Sequence, residues 1–165
     1  MKKYFVIGNP IDHSLSPELH NHWIKNNNIQ AIYEKKKITE NDLGKLILQI
    51  KEKKINGINV TVPFKRKIIS HVDELTFEAE NTQSVNTIYL KNDKLVGHNT
   101  DIYGFKMSVK KSNFDLTNKK VLILGAGGVV SSIIFALNKM KASKIIVSNR
   151  TKEKAENLKK LFDKL

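Results

Sequence analysis

The chain has 165 residues, 40% hydrophobic and 27% charged, with no cysteine and a formal net charge of +13. That composition suits one globular domain, or one small domain plus part of another, and it excludes disulfides and thiolate chemistry. It contains neither an apolar run long enough to span a bilayer nor a signal-peptide pattern, and a Cys-free chain fits a reducing cytoplasm, the expected compartment.

The predicted elements follow in chain order. Residues 3–8, KYFVIG, read as a buried strand, and NPIDHSLSP after it as a polar loop. Ser16 before Pro17 reads as an N-cap followed by a first-turn proline, so a helix is expected from there to about Asn27. IQAIYEKKKI reads as a second strand. TENDLGKLILQIKEKKI reads as an amphipathic helix capped by Thr39, with Leu43, Leu46, Ile47 and Ile50 on its apolar face. INGINVTVP is the third strand. Along it Asn59 and Thr61 point one way, and Val60 and Val62 the other. Pro63 is expected to open a short helix to about Ser70, and a further helix to cover about Asp73 to Glu80.

SVNTIYL and KLVGH, joined at KND, are read as a β-hairpin, and NTDIYGF as the entry to a helix through about Lys111. KSNFDLTN is a polar connector. Beyond it come strand KKVLILG, turn AGG, helix VVSSIIFALNKM, strand KIIVSN and a final helix from Thr151. This alternation predicts an α/β fold. An N-terminal domain with a mainly parallel sheet flanked by helices is followed by an incomplete Rossmann-type β-α-β-α unit. The expected division is 1–111, a connector at 112–118, and 119–165. A doubly wound nucleotide domain needs more than two strands, so the chain is expected to be a piece of a longer enzyme, or to have its sheet completed by a partner.

The charge by itself points to nucleic acid or an anionic ligand. The lysines, however, are scattered along the chain, and Lys, Asn and Ile are all plentiful, which fits an AT-rich coding sequence. Without an arginine-rich arm or an aromatic-plus-basic RNA signature, no nucleic-acid partner and no membrane partner is expected. His20 and His22, two apart, fall on different faces of a helix and lack companion ligands, so no metal site is expected.

VLILGAGGVV follows a hydrophobic strand and opens a helix. Gly125 and Gly127 match the first two glycines of G-x-G-x-x-G, while the third position is Val130. The first glycine permits the tight turn and the second lets backbone approach a pyrophosphate at the helix N-terminus. The expected contacts there are Gly125, Ala126, Gly127, Gly128 and Val129. An NAD site places an acid at the end of the next strand. This chain has Asn149, Arg150 and Thr151 instead, with Lys154 one helical turn on. A guanidinium clamps a phosphate at two points and stacks on adenine, so the expected cofactor is NADP(H).

Four polar constellations, HSLSP, NVTVPFK, SVNTI and GHNTD, stand at or just past the C-terminal ends of strands, where open α/β sheets bind ligands. They supply hydroxyls (Ser14, Ser16, Thr61), amides (Asn59, Asn86, Asn99), one cation (Lys65) and one carboxylate (Asp101). Such a set suits a small, polyhydroxylated, anionic ligand.

IGNPIDHSLSP, NVTVPFK, SVNTI, GHNTD before D-x-x-G, GAGG and NRT, in this order from Ile7 to Thr151, resemble the shikimate dehydrogenase family. The resemblance implies a two-domain NADP enzyme that reduces 3-dehydroshikimate to shikimate on the route to chorismate and the aromatic amino acids. It implies that Ser14 and Ser16 bind the substrate carboxylate, that Asn59, Thr61, Asn86 and Asp101 bind the ring hydroxyls, and that Lys65 and Asp101 form the catalytic pair. A lysine there would give a proton to the developing alkoxide in reduction and take it back in oxidation. Two departures stand out. Ile102 follows Asp101 where the family usually has glycine, and VVSS follows the glycines where the family has small residues and often an arginine. The rival readings are a quinate/shikimate dehydrogenase using NAD and a shikimate-binding fragment without turnover. Monomer and homodimer stay open.

Overall fold

The computed structural model describes residues 1–163; positions 164 and 165, the end of the expected last unit, lie outside the described residues. A six-stranded mixed sheet is followed by a two-stranded parallel one. Strands β1 (Lys2–Gly8), β2 (Ala31–Lys37) and β3 (Gly57–Val60) run parallel, with β1 in the middle. β5 (Thr87–Lys91) pairs antiparallel with β3 and with β6 (Lys94–His98), and the short β4 (Glu74–Leu75) closes the far edge parallel to β6. The order is β2-β1-β3-β5-β6-β4. The hairpin has a two-residue turn, Asn92-Asp93, both at positive φ, the geometry whose twist matches the strands.

Alternation along the strands divides the core into two layers. Ile7, Ile58, Val60, Ile88 and Leu95 face α2 (Leu43–Lys51), whose Leu43, Leu46, Ile47 and Ile50 are the four residues of the predicted apolar face. Burying each such side chain stabilises the fold by about 1.5–3 kcal/mol relative to leaving it exposed. On the opposite face Val6 and Tyr33 pack with Ile11 and with Ile24 of α1 (Ser16–Asn26). That second face also receives the side chains of Asn59 and Thr87, which sit directly opposite each other across β3 and β5. One sheet thus separates an apolar core from a polar face at the C-terminal end of β3.

Three local expectations are corrected. Leu15, not Ser16, is the N-cap of α1, and the Ser16 N–H is met by Ser14 Oγ at 3.3 Å. No α-helix runs from Pro63 to Ser70; two turns lead to a 3-10 segment at Lys67–His71. The i+4 pattern stops after one bond, Ile68 N–H to Phe64 O at 2.9 Å: the Lys65 carbonyl accepts the Val85 N–H at 2.9 Å, and Ile69 N–H bonds Arg66 O at 3.3 Å. The helix expected from Asp73 starts late, as α3 (Phe77–Thr82) capped by Thr76, because the Asp73 and Thr76 N–H groups join the β6 ladder at Leu95 and Gly97.

Helix α4 (Asp101–Lys111) leads out of the first sheet. The second unit comprises β7 (Lys120–Leu124), α5 (Val130–Lys139), β8 (Lys144–Ser148) and α6 (Lys152–Phe162), with β7 and β8 parallel in register. The two units pack through α5: Phe135 and Ala136 bury against Ile102 and Phe105 of α4. Ile102, the departure after Asp101, is a buried member of this contact.

Candidate active site

The turn after β3 aims Lys65. Phe64, 2% exposed, anchors the turn in the core, and the next side chain emerges on the other side. Lys65 Nζ donates to Asp101 Oδ2 at 2.6 Å, and the two side chains are only 15% and 22% exposed. Asp101 is the first residue of α4, where a carboxylate is favoured by the unpaired N–H groups of the helix end. Its other oxygen, Oδ1, accepts from Asn86 Nδ2 at 2.8 Å. Both carboxylate oxygens are therefore held, one by a cation and one by an amide.

The Asn86 amide is itself fixed. Its Nδ2 also donates to Thr100 Oγ1 at 2.9 Å, and its Oδ1 accepts the Thr100 N–H at 3.0 Å and the Thr87 hydroxyl at 3.0 Å. Asn59 Nδ2 donates to Thr87 Oγ1 at 3.0 Å and to the Asn86 carbonyl at 3.1 Å, while Asn59 Oδ1 accepts the Tyr33 hydroxyl at 2.7 Å. Both Asn59 amide hydrogens are thus engaged inside the protein. Burial pushes the Tyr33 phenol above its ordinary 10.0, keeping it a donor, and lowers His20, which stacks on it at 4.0 Å between centroids.

Of the residues expected to meet the ligand, Lys65, Asn86 and Asp101 form one bonded cluster and Asn59 backs it. Thr61 lies just past β3; its backbone N–H donates to Ile7 O, and its methyl crowds Gly8. Ser14 and Ser16, half-buried, lie at the head of α1, outside this bonded cluster among the described residues. Thr87, Thr100 and Tyr33 were not expected in the network. SVNTI and GHNTD place the two threonines beside Asn86 and Asp101, which was a usable signal, whereas IYEKKK gives no sign of the role of Tyr33.

The glycine turn is open on the side its missing Cβ atoms would occupy. Gly125 has φ +108°, a conformation L side chains rarely adopt, and no atom lies within 4 Å of where a Cβ would stand at Gly125, Gly127 or Gly128. The turn is pinned from β8: Gly125 N–H donates to Ser148 O at 2.7 Å and Ala126 N–H to Asn149 Oδ1 at 3.1 Å. Asn149 Nδ2 donates to Thr151 O at 2.8 Å, so this side chain braces both sides of the crevice. Arg150, Thr151 and Lys154 are exposed beside it. Val130 is buried in the first turn of α5, whereas Val129 is 41% exposed.

A cleft of about 760 Å³ separates the two units, and Lys65, Gln83 and Ser84 line it on one side and Gly127, Gly128 and Lys154 on the other. The candidate proton donor and the glycine turn therefore share one cavity. Among the described residues no group of three or more His, Asp or Glu is arranged to hold a metal ion, and no helix is long and apolar enough to cross a membrane.

Two family models match this chain: "Shikimate dehydrogenase substrate binding domain" over residues 6–88 and "Shikimate / quinate 5-dehydrogenase" over residues 108–165. A shikimate dehydrogenase (NADP(+)) of Pelagibacter ubique (strain HTCC1062) is 57% identical over 166 residues, covering 100% of this chain and 63% of that protein. The crystal structure of shikimate dehydrogenase from Aquifex aeolicus superposes with a TM-score of 0.92 at 41% identity, covering 99% of this chain and 61% of that one. Shikimate 5-dehydrogenase from Thermus thermophilus, solved in complex with NADP(H) and shikimate, superposes with a TM-score of 0.89 at 31% identity, covering 99% and 61%. The chain spans about three fifths of the length of these relatives.

Proposed function

The chain belongs to the shikimate dehydrogenase family, and on that footing we propose that it binds shikimate on its first sheet and, with NADP(H), interconverts shikimate and 3-dehydroshikimate. The observation that carries the reading is the half-buried Lys65–Asp101 pair at 2.6 Å, whose Lys65 lines the same cleft as the glycine turn. In this reading residues 1–111 form the substrate-binding and catalytic domain, 112–118 the connector, and the segment from 119 the start of the cofactor domain.

NADP(H), when bound, supplies the hydride or accepts it. The open cradle at Gly125–Gly128 fits its pyrophosphate, and Arg150 and Lys154 fit the additional phosphate that distinguishes it from NAD. As hydride reaches the ketone carbon, the C=O electron pair moves to oxygen, and Lys65 Nζ–H protonates that alkoxide. In oxidation the amine takes the hydroxyl proton back. Asp101 holds the amine beside the reacting oxygen, and Asn86 keeps the carboxylate turned toward it. Ser14 and Ser16 offer hydroxyls to the substrate carboxylate, and Thr61 offers one to the ring. Asn59, its amide hydrogens already engaged, supports the Asn86 region and has one free Oδ1 lone pair for the ligand.

The test is nicotinamide absorbance during shikimate oxidation, with NADP+ and NAD+ compared and Lys65→Ala alongside. Turnover with NADP+ that falls by about 10²–10⁴-fold in Lys65→Ala is the expected result. Equal rates in the two proteins would remove Lys65 from the chemistry. A second reading is a shikimate-binding unit without turnover. Shikimate heat in a calorimeter without NADPH formation would select it.

A further inference from the structure

Asn99 lies between β6 and α4 and is 1% exposed. Its Nδ2 stands 2.8 Å from Ser84 O, 2.8 Å from Ser132 Oγ and 3.2 Å from Thr82 Oγ1. Its Oδ1 accepts the backbone N–H of Asp101 at 3.0 Å. The partners at the two ends are of opposite kind, acceptors at one and a donor at the other, so the amide has a single orientation. Ser132, 0% exposed, belongs to α5, the helix that follows the glycine turn. One rigid side-chain plane therefore touches the nucleotide-turn helix with one end and the backbone of the carboxylate that holds Lys65 with the other.

We infer that Asn99 is a positioning residue that couples α5 to Asp101 through this buried amide. The inference rests on the proposed roles of the glycine turn and of the Lys65–Asp101 pair. The two Nδ2 hydrogens face three acceptors, of which Ser84 O and Ser132 Oγ at 2.8 Å are nearer than Thr82 Oγ1 at 3.2 Å, so when α5 moves, Asn99 follows Ser132 or exchanges that bond for the longer one to Thr82. Following it turns the amide plane and moves the acceptor presented to Asp101 N–H. Close packing leaves little slack to absorb such a displacement: Ile102, next to Asp101, is itself buried against Phe135 and Ala136 of α5. The neighbouring contact, Ser84 Oγ to Gly128 O at 3.4 Å, joins the same two units but bypasses Asp101. Occupancy of the glycine turn is in this way transmitted to the proton-transfer pair before substrate arrives.

The experiment follows backbone amide resonances of the 165-residue chain in a ¹H–¹⁵N NMR titration with NADP+, without shikimate. In the parent, the Gly125, Gly127 and Gly128 amides shift, and so does that of Asp101. In Ser132→Ala the glycine response is retained and the Asp101 response falls by more than about half, since the amide has lost its contact with α5. Ser132→Gly gives the same pattern without the methyl, and Ser84→Ala leaves the Asp101 response at the parent level. A staple that only stabilised the fold would change the unfolding midpoint and leave the Asp101 response equal in all four proteins, which would overturn the inference. A parent in which the glycines respond and Asp101 does not would overturn it as well. A parent whose glycine amides ignore NADP+ would instead refute the nucleotide-site reading, and this inference with it.

Discussion

The hydroxyl of Tyr33 on β2 reaches past β1 to donate a 2.7 Å hydrogen bond to Oδ1 of Asn59 on β3. Strands two apart in a sheet are separated by about 9–10 Å, a span that a tyrosine crosses and a shorter side chain does not. Tyr33→Phe keeps the packing and deletes the donor. The expected loss is about 1–2 kcal/mol in urea-induced unfolding, together with weaker shikimate binding, because Asn59 Oδ1 loses its donor and the amide is then held from its Nδ2 side alone. An unchanged midpoint and an unchanged shikimate affinity would show that the bond contributes nothing.

Gly8 sets the position of Thr61. A Cβ at Gly8 would stand 2.7 Å from Thr61 Cγ2, 3.0 Å from Ile11 Cδ1 and 3.1 Å from Val62 O. Overpacking of this kind costs about 1–3 kcal/mol, and here the backbone oxygen gives way least. Gly8→Ala is therefore expected to be destabilised by that amount and to bind shikimate more weakly as Thr61 is displaced. Thermal unfolding and calorimetric titration of the same sample measure both effects.

Arg150 is exposed at the end of β8, next to the Asn149 brace. A charge-assisted bond to a phosphate in that setting is worth about one order of magnitude in affinity. Arg150→Ala should raise the Kd for NADP+ about tenfold and leave that for NAD+ unchanged, as read by titration of both nucleotides. An equal loss for both would move Arg150 from the discriminating phosphate to a shared part of the cofactor.

Asp73 accepts the Leu95 backbone N–H at 2.8 Å and pairs with Lys51 at 3.0 Å, and these two contacts, the backbone bond foremost, hold its carboxyl below the ordinary 3.8. A carboxyl depressed in the folded state stabilises the fold at pH above 3.8 and loses that contribution as pH falls below it toward the folded value. Asp73→Asn should therefore be less stable than the parent at neutral pH and show a shallower loss of stability on acidification below pH 4. Parallel acid limbs for the two proteins, from equilibrium unfolding at several pH values, would exclude Asp73 as a contributor.

Much of the fold was legible in the sequence, because local pattern sets it. Apolar spacing placed α2 and its four buried residues, the β-hairpin followed from KND, and the G-A-G-G turn between a strand and a helix followed from residue type alone. The identity of the Lys65–Asp101 pair was legible as well, through motifs in order. Where elements compete for backbone partners, local pattern is silent. In the segment after Pro63 the Lys65 carbonyl is paired with the distant Val85 N–H where the expected helix would pair it with Ile69, and the segment at Asp73 lost its first turn to the β6 ladder. Asn59 reads in the sequence as a ligand group, and tertiary structure shows its amide hydrogens bonded to residues 27 and 28 positions away. Asn99 likewise reads as one of the amides offered to a ligand, and tertiary structure buries it between two units. Spacing along a chain reports which face a side chain takes. Which donors and acceptors it meets there depends on strands brought together from distant positions, and that was decided only when the sheet closed.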